Sequence, residues 1–176
     1  MELAEANHLH NAIALLERTP KVLETLLEGV EEETLTWKPA PGRWSIAEVL
    51  SHLADLEAVY SKRAERILGE TAPALEKYDP DRAVAPGEHS RKYGEDQLVR
   101  FVEARSGTIA LLSMMPPTAG TRTGVHSELG AITLTEMLNE WASHDLGHLR
   151  QIAEIYRARE FYPQAGPFQK YSNPKP

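Results

Sequence analysis

The chain has 176 residues, 41% of them apolar, enough to fill one core of ordinary size, and this predicts a single domain, 1–176. A formal charge of -7 argues against the basic face of a nucleic-acid binder, and no stretch approaches the ~20 apolar residues of a bilayer span. The absence of cysteine excludes a protein thiolate as nucleophile, redox partner or metal ligand, so any metal must be held by nitrogen and oxygen. The opening residues, Met1 to Asn7, have neither the basic start nor the apolar run of a secretory signal, and a cytoplasmic location is expected.

From Leu3 to about Gly29, apolar residues recur at helical spacing (Leu9, Ile13, Leu16, Val22, Leu23, Leu26, Leu27), with Thr19 and Pro20 in the middle. Proline is disruptive in a helix interior and tolerated in a first turn, so the segment reads as a kinked helix, with two short helices as the alternative. The prolines and glycine between Leu35 and Arg43 mark a connecting loop. Ser45 with Glu48 three residues on has capping-box spacing and opens a second helix. Its stripe is Ile46, Val49, Leu53, Leu56, Tyr60 and Ile67, and it ends near Gly69. Glu70 to Tyr93 has prolines, many charges and no sustained period, which predicts a long loop of the kind that is often functional.

A third helix is predicted from about Glu95 to Met114, with Leu98, Phe101, Val102, Ile109 and Leu112 inward, and it is stopped by Pro116 and Pro117. A further loop runs from Thr118 to Ile132. Thr133 and Glu136 repeat the capping-box spacing before a fourth helix whose stripe is Met137, Trp141, His144, His148, Ile152 and Ile155. The proline-containing tail, about 161–176, is expected to be extended and to pack on the bundle through Phe161, Tyr162, Phe168 and Tyr171. Four main helices with long connecting loops imply an all-α fold, a four-helix bundle.

His144 and His148 lie four apart on one helix and project from the same face. His52 sits at the edge of the second helix's apolar stripe. Imidazoles meeting across two helices can hold zinc, nickel, copper or ferrous iron, and three protein ligands leave coordination open for water or substrate. An inward histidine is also commonly a hydrogen-bonded core residue, and spacing alone does not bring His52 to the pair. Both readings stand at this point.

Two stretches carry a resemblance. The run from Trp44 through His52 to Glu57, and the run from Glu140 through His144 and His148 to Ile152, resemble the signature stretches of the DinB-like superfamily. The residues from Pro73 through Tyr78 to Asp79 are similar, more loosely, to its YfiT-type branch of metal-dependent hydrolases. The resemblance implies a DinB-like four-helix bundle, often dimeric, with His52, His144 and His148 as metal ligands. It implies a divalent metal, zinc or nickel first, with iron or manganese as further candidates. It also implies a small-molecule substrate and either a metal-dependent hydrolase or a thiol-dependent transferase acting with a low-molecular-weight thiol. A non-catalytic metal- or small-molecule-binding dimer of the stress-response type is the alternative.

Around the three histidines, Asp55, Glu57 and Asp145 are candidates to orient an imidazole or to act as a base. Solvated helix faces, or ion pairs with Arg63, Arg66 or Arg150, are their structural alternative. Gln151 is a candidate hydrogen-bond partner near the site or packs between helices, and Trp141 reads as a core aromatic that, one turn before His144, is also a candidate wall of its pocket. Trp44 reads as a core aromatic, Arg43 and Arg105 as surface residues or anion binders, and His8, His10, His89 and His126 as surface or loop residues. The two long loops are expected to shape the pocket mouth.

Overall fold

The computed structural model, which describes residues 2–78, 93–171 and 173–176, contains the four predicted helices. They are α1 (Glu2–Leu27), α3 (Ile46–Gly69), α4 (Gly94–Ser113) and α5 (Leu134–Tyr156), with a short α2 (Glu32–Thr36) after the first. Both capping boxes form. The Ser45 hydroxyl accepts from the Glu48 amide at 3.2 Å, and the Glu48 carboxylate accepts from the Ser45 amide at 2.8 Å. Thr133 and Glu136 make the same reciprocal pair at the start of α5. Each cap sets a helix start and with it the residues that face inward. Accordingly α3 buries Ile46, Val49, Leu53, Leu56 and Ile67, and α5 buries Met137, Trp141, Ile152 and Ile155.

The apolar core is divided in two. Leu9, Leu16, Ala64, Ile67, Leu112, Leu134 and Trp141 share one cluster, while Leu23, Leu27, Ile46, Leu53, Phe101, Ile152 and Ile155 share the other. Early residues of α1 and α5 therefore meet late residues of α3 and α4. It follows that α1 and α5 run in one direction and α3 and α4 in the other. The helices α3 and α4 are extensive packing neighbours, and they are parallel. A chain leaving Gly69 must consequently return along the bundle, a distance of about 36 Å for a helix of 24 residues, before it can begin α4. Topology alone thus demands a long connection. Residues 79–92 of the loop predicted from Glu70 to Tyr93, His89 among them, lie outside the described residues.

Between the two apolar clusters lies a charged layer. Arg105 of α4 donates from Nε to Glu57 Oε1 at 2.8 Å, and from Nη1 and Nη2 to the two oxygens of Asp145 at 2.7 and 3.1 Å. Nη1 also donates to the Leu16 carbonyl at 2.8 Å. All three charged side chains are at most 1% exposed. The fourth bond explains how α1 carries Pro20 without dividing in two. Proline has no N–H, so the Leu16 carbonyl four residues earlier loses its helical donor, and the guanidinium replaces it. Burial opposes the Arg105 charge, but Asp145 and Glu57 outweigh it and raise the arginine's pKa. For Glu57 burial is the largest influence and raises the carboxyl's pKa against the pull of Arg105.

Besides α2, whose Leu35 and Thr36 begin the stretch predicted as a loop, two segments differ from expectation. Residues 118–132 contain most of a tight turn, Pro117–Thr121, and a hairpin of β2 (Thr123–His126) and β3 (Gly130–Thr133). To this hairpin β1 (Ala74–Leu75) adds in parallel. Strands of two to four residues are too short to show a period in sequence. The tail is also not extended up to Tyr171. Helix α5 widens into a π turn, Arg157–Phe161, followed by 3-10 turns at Tyr162–Gln164 and Gly166–Tyr171. Pro163 and Pro167 occupy second positions of those turns, where a missing N–H has no partner to lose, so they start turns instead of enforcing extension. Phe161, Phe168 and Tyr171 remain 59%, 71% and 75% exposed, contrary to the expected packing. Phe161 rests edge-on against Tyr156. Among the described residues no helix is long and apolar enough to cross a membrane.

Candidate metal centre

His52 lies on α3 two turns from the Ser45 cap, and His144 and His148 lie one turn apart in the middle of α5. All three are half-buried where these helices pack. His144 Nε2 stands 3.2 Å from His52 Nε2 and 3.1 Å from His148 Nε2. Among the described residues no fourth histidine or carboxylate joins the group.

These distances bear on the two readings of the histidines. A ring nitrogen carries either one proton or one lone pair, so His144 Nε2 can form one good hydrogen bond. Two neighbouring nitrogens at 3.1 and 3.2 Å leave one contact without a proton to share. A shared cation satisfies both contacts. Nitrogens about 2.0–2.1 Å from one ion are about 3.4 Å apart at the tetrahedral angle and about 2.9 Å apart at a right angle. The observed spacing lies between these values, and the residues fit a divalent ion.

The protonation states agree. Burial, and then the neighbouring His148, lower the His144 pKa to about 4. Burial lowers that of His148 as well, against a raising contribution from Gln151. Both rings are therefore neutral at pH 7, as ligation requires. His148 Nδ1 donates to Gln151 Oε1 at 2.9 Å, which leaves the Nε2 lone pair directed at the centre. Gln151 thus fills its expected role. Gln151→Ala is expected to weaken metal affinity by about 10–100-fold with the fold unchanged, as measured by competition with a chromogenic chelator.

Other candidates fall elsewhere. Asp55 pairs with Arg100 on α4, and Glu57 and Asp145 are consumed by Arg105. The ion-pair alternative held for all three, with partners other than Arg63, Arg66 or Arg150. Arg105 is accordingly neither a surface residue nor an anion binder. Its buried position was legible in the inward spacing of Gln97, Phe101, Arg105, Thr108 and Leu112, had polar residues been admitted to the stripe. Trp141 is a core aromatic, as one reading had it, and does not wall the pocket. It is 1% exposed and lies between Tyr60, stacked at 4.8 Å, and the Arg105 guanidinium.

Trp44 takes the place expected of Trp141. Its ring lies 5.0 Å from that of His52 and stacks over His148 at 6.3 Å, with 37% of the residue exposed. Tyr78 approaches His52 from the other connection, its ring 6.4 Å away, and burial followed by the Asp55 charge raises its pKa. Neither aromatic had a sequence signal for this role beyond its place in the stretches resembling the superfamily. His8 and His10 are exposed as expected, whereas His126 is buried in β2 and accepts from the Glu128 amide at 3.2 Å. Beside His144 and His148 a cavity of about 590 Å³ opens, bounded by Arg43, α5 and residues 173–176. Residues 118–132 do not line it, contrary to expectation; they pack near the far ends of α3 and the start of α5.

The model of the DinB superfamily matches residues 15–152, a span that contains all three histidines and both capping boxes. The chain belongs to the DinB superfamily. A relative from Oceanobacillus iheyensis, named as a candidate metal-dependent hydrolase, is 23% identical over 146 residues, covering 83% of this chain and 84% of its own. Among solved structures, YfiT from Bacillus subtilis is similar with a TM-score of 0.75 and 25% identity, over 85% of this chain and 86% of that one. YfiT is described as a probable metal-dependent hydrolase with an unusual four-helix bundle topology. The parallel α3–α4 pair of this DinB-superfamily chain is likewise a departure from up-down-up-down connection.

Proposed function

We propose that this protein is a metal-dependent hydrolase in which His52, His144 and His148 hold a divalent ion through Nε2, with its remaining coordination open to water and substrate. The observation that carries this reading is the pair of Nε2 contacts at 3.1 and 3.2 Å, which hydrogen bonding cannot satisfy together, with no fourth ligand among the described residues. Structural sites are normally closed by four protein ligands, whereas catalytic ones keep a position free. Imidazole donors without thiolate suit zinc and nickel, as they do copper and ferrous iron. When bound, such an ion lowers the pKa of its water to about 7 and polarises a substrate carbonyl.

The protein's own residues set the conditions for that chemistry. Gln151 fixes the His148 ring. The Trp44 ring covers His52 and His148 and excludes water on that side. Tyr78, its ring 6.4 Å from that of His52, keeps its proton at neutral pH. Glu57 and Asp145, buried on Arg105, are not available as bases at the pocket.

Untagged protein loaded with zinc or nickel is to be assayed on ester, amide and thiol-conjugation panels. Hydrolysis that disappears with chelator and returns with metal is the expected result. Conjugation alone would move the assignment to thiol-dependent transfer at the same centre, with sulfur from outside because the chain has no cysteine. Tight stoichiometric metal with no turnover on any panel would favour a non-catalytic binding protein.

A further inference from the structure

The cavity beside His144 and His148 has a charge opposite to that of the chain. On a protein of net charge -7, its wall brings together Arg43, Arg150, Arg157 and Lys175 against two carboxylates, that of Glu154 and the terminal one of Pro176. Glu154 accepts from Arg157 Nη2 at 2.9 Å and from the Lys175 amide at 3.0 Å, so it is already engaged. Arg150 has no carboxylate partner among the described residues. Arg43 donates to a main-chain oxygen of Pro176, which at the last residue is a carboxylate oxygen, so its guanidinium already meets an oxyanion at the cavity wall. Like charges gathered in one concavity repel one another and focus a positive potential there, and an anion relieves both.

The geometry ties this potential to the metal centre. His144, Gly147, Gln151 and Glu154 follow one another at helical spacing along one face of α5. From His148 to Glu154 the helix rises about 9 Å, the length of a small molecule. A cavity of about 590 Å³ is of the size that encloses such a ligand.

We infer that this cavity is the oxyanion subsite of the centre. The substrate is a small organic carboxylate or phosphate whose negative end is bound by Arg43 and Arg150 while its reacting group lies at the three histidine nitrogens. The second half of this statement rests on the metal reading; the arginine subsite does not. A guanidinium fork matches carboxylate and phosphate oxygens two at a time, which separates such a ligand from a neutral isostere.

Calorimetric titration of zinc-loaded protein with succinate, inorganic phosphate and the uncharged succinamide tests it, with metal content measured on the same samples. Succinate or phosphate is expected to bind and succinamide not to. The double variant Arg43→Gln/Arg150→Gln is expected to weaken anion binding by about tenfold or more with metal content unchanged, and Arg18→Gln, exposed on α1, to bind as wild type does. The stronger of the two anions identifies the headgroup. Equal binding of succinamide, no binding of either anion, or unchanged anion affinity in the double variant would overturn the subsite. Arginine-dependent anion binding by protein that retains no metal would leave the subsite standing and remove the metal reading. Stoichiometric metal with arginine-independent binding would do the reverse.

Discussion

His52→Ala protein, purified without an affinity tag and supplemented with zinc or nickel, is expected to lose stoichiometric metal while keeping its fold. The substitution leaves His144 and His148, an imidazole pair on a single helix, and removes the one imidazole of the group that α3 supplies. His52 is half-buried and sits within a long helix, where alanine is the residue that most favours helix. The effect should therefore fall on the metal and not on folding. Metal that binds only the native state stabilises it by about 4 kcal/mol when its concentration is a thousandfold above Kd. For a domain of this size that is a shift in Tm of roughly 10 °C. Wild-type protein is thus expected to lose stability on chelation, and His52→Ala protein to start at the lower value and ignore the chelator. Elemental analysis and thermal unfolding together check the result. One tightly held ion per chain in His52→Ala would show that His52 is not a ligand.

Arg105→Met should have the largest effect on the fold itself. It leaves Glu57 and Asp145 buried without their shared cation, and it strips the Leu16 carbonyl of the donor that Pro20 fails to provide. Breaking a buried ion pair by removing one partner destabilises by about 3–5 kcal/mol, which for a chain of this length lowers Tm by roughly 10 °C. Urea unfolding measures the loss. Two further variants separate its sources. Replacing Glu57 and Asp145 by leucine in the Arg105→Met background should recover most of it, because no uncompensated carboxylate then remains in the core. Pro20→Ala in that background should recover about 1 kcal/mol by restoring a helical donor to Leu16, and should do less in wild type, where the guanidinium already bonds that carbonyl. A loss below about 1 kcal/mol in Arg105→Met would mean that the layer is not a charged one, and would return Glu57 to the candidates for proton transfer.

The bundle was legible because its signals are local. The Ser45–Glu48 and Thr133–Glu136 boxes each lie within four residues, and the stripes of α3 and α5 repeat every three or four, so helix starts and buried faces follow from neighbouring residues alone. The same periodicity put His144 and His148 inward as a pair. It failed at the hairpin and the tail, where strands and turns of a few residues carry no period, and where proline, taken as a sign of extension, instead opened a turn.

By itself, then, the sequence determined a bundle of four long helices, their starts to within a residue or two, and three histidines on inward or near-inward positions, but not the short α2. Tertiary structure decided everything that depends on which residues meet across helices. It gave Arg105 to Glu57 and Asp145, put Trp44 instead of Trp141 beside the histidines, and gathered Arg43 with Arg150 into one cavity. Helical spacing specifies a face and not the partner of that face. The partner depends on the direction in which each helix runs, and the long return between Gly69 and Gly94 allows α3 and α4 to be parallel, a choice no local pattern records. The convergence of three Nε2 atoms is the consequence of that choice that matters most for function.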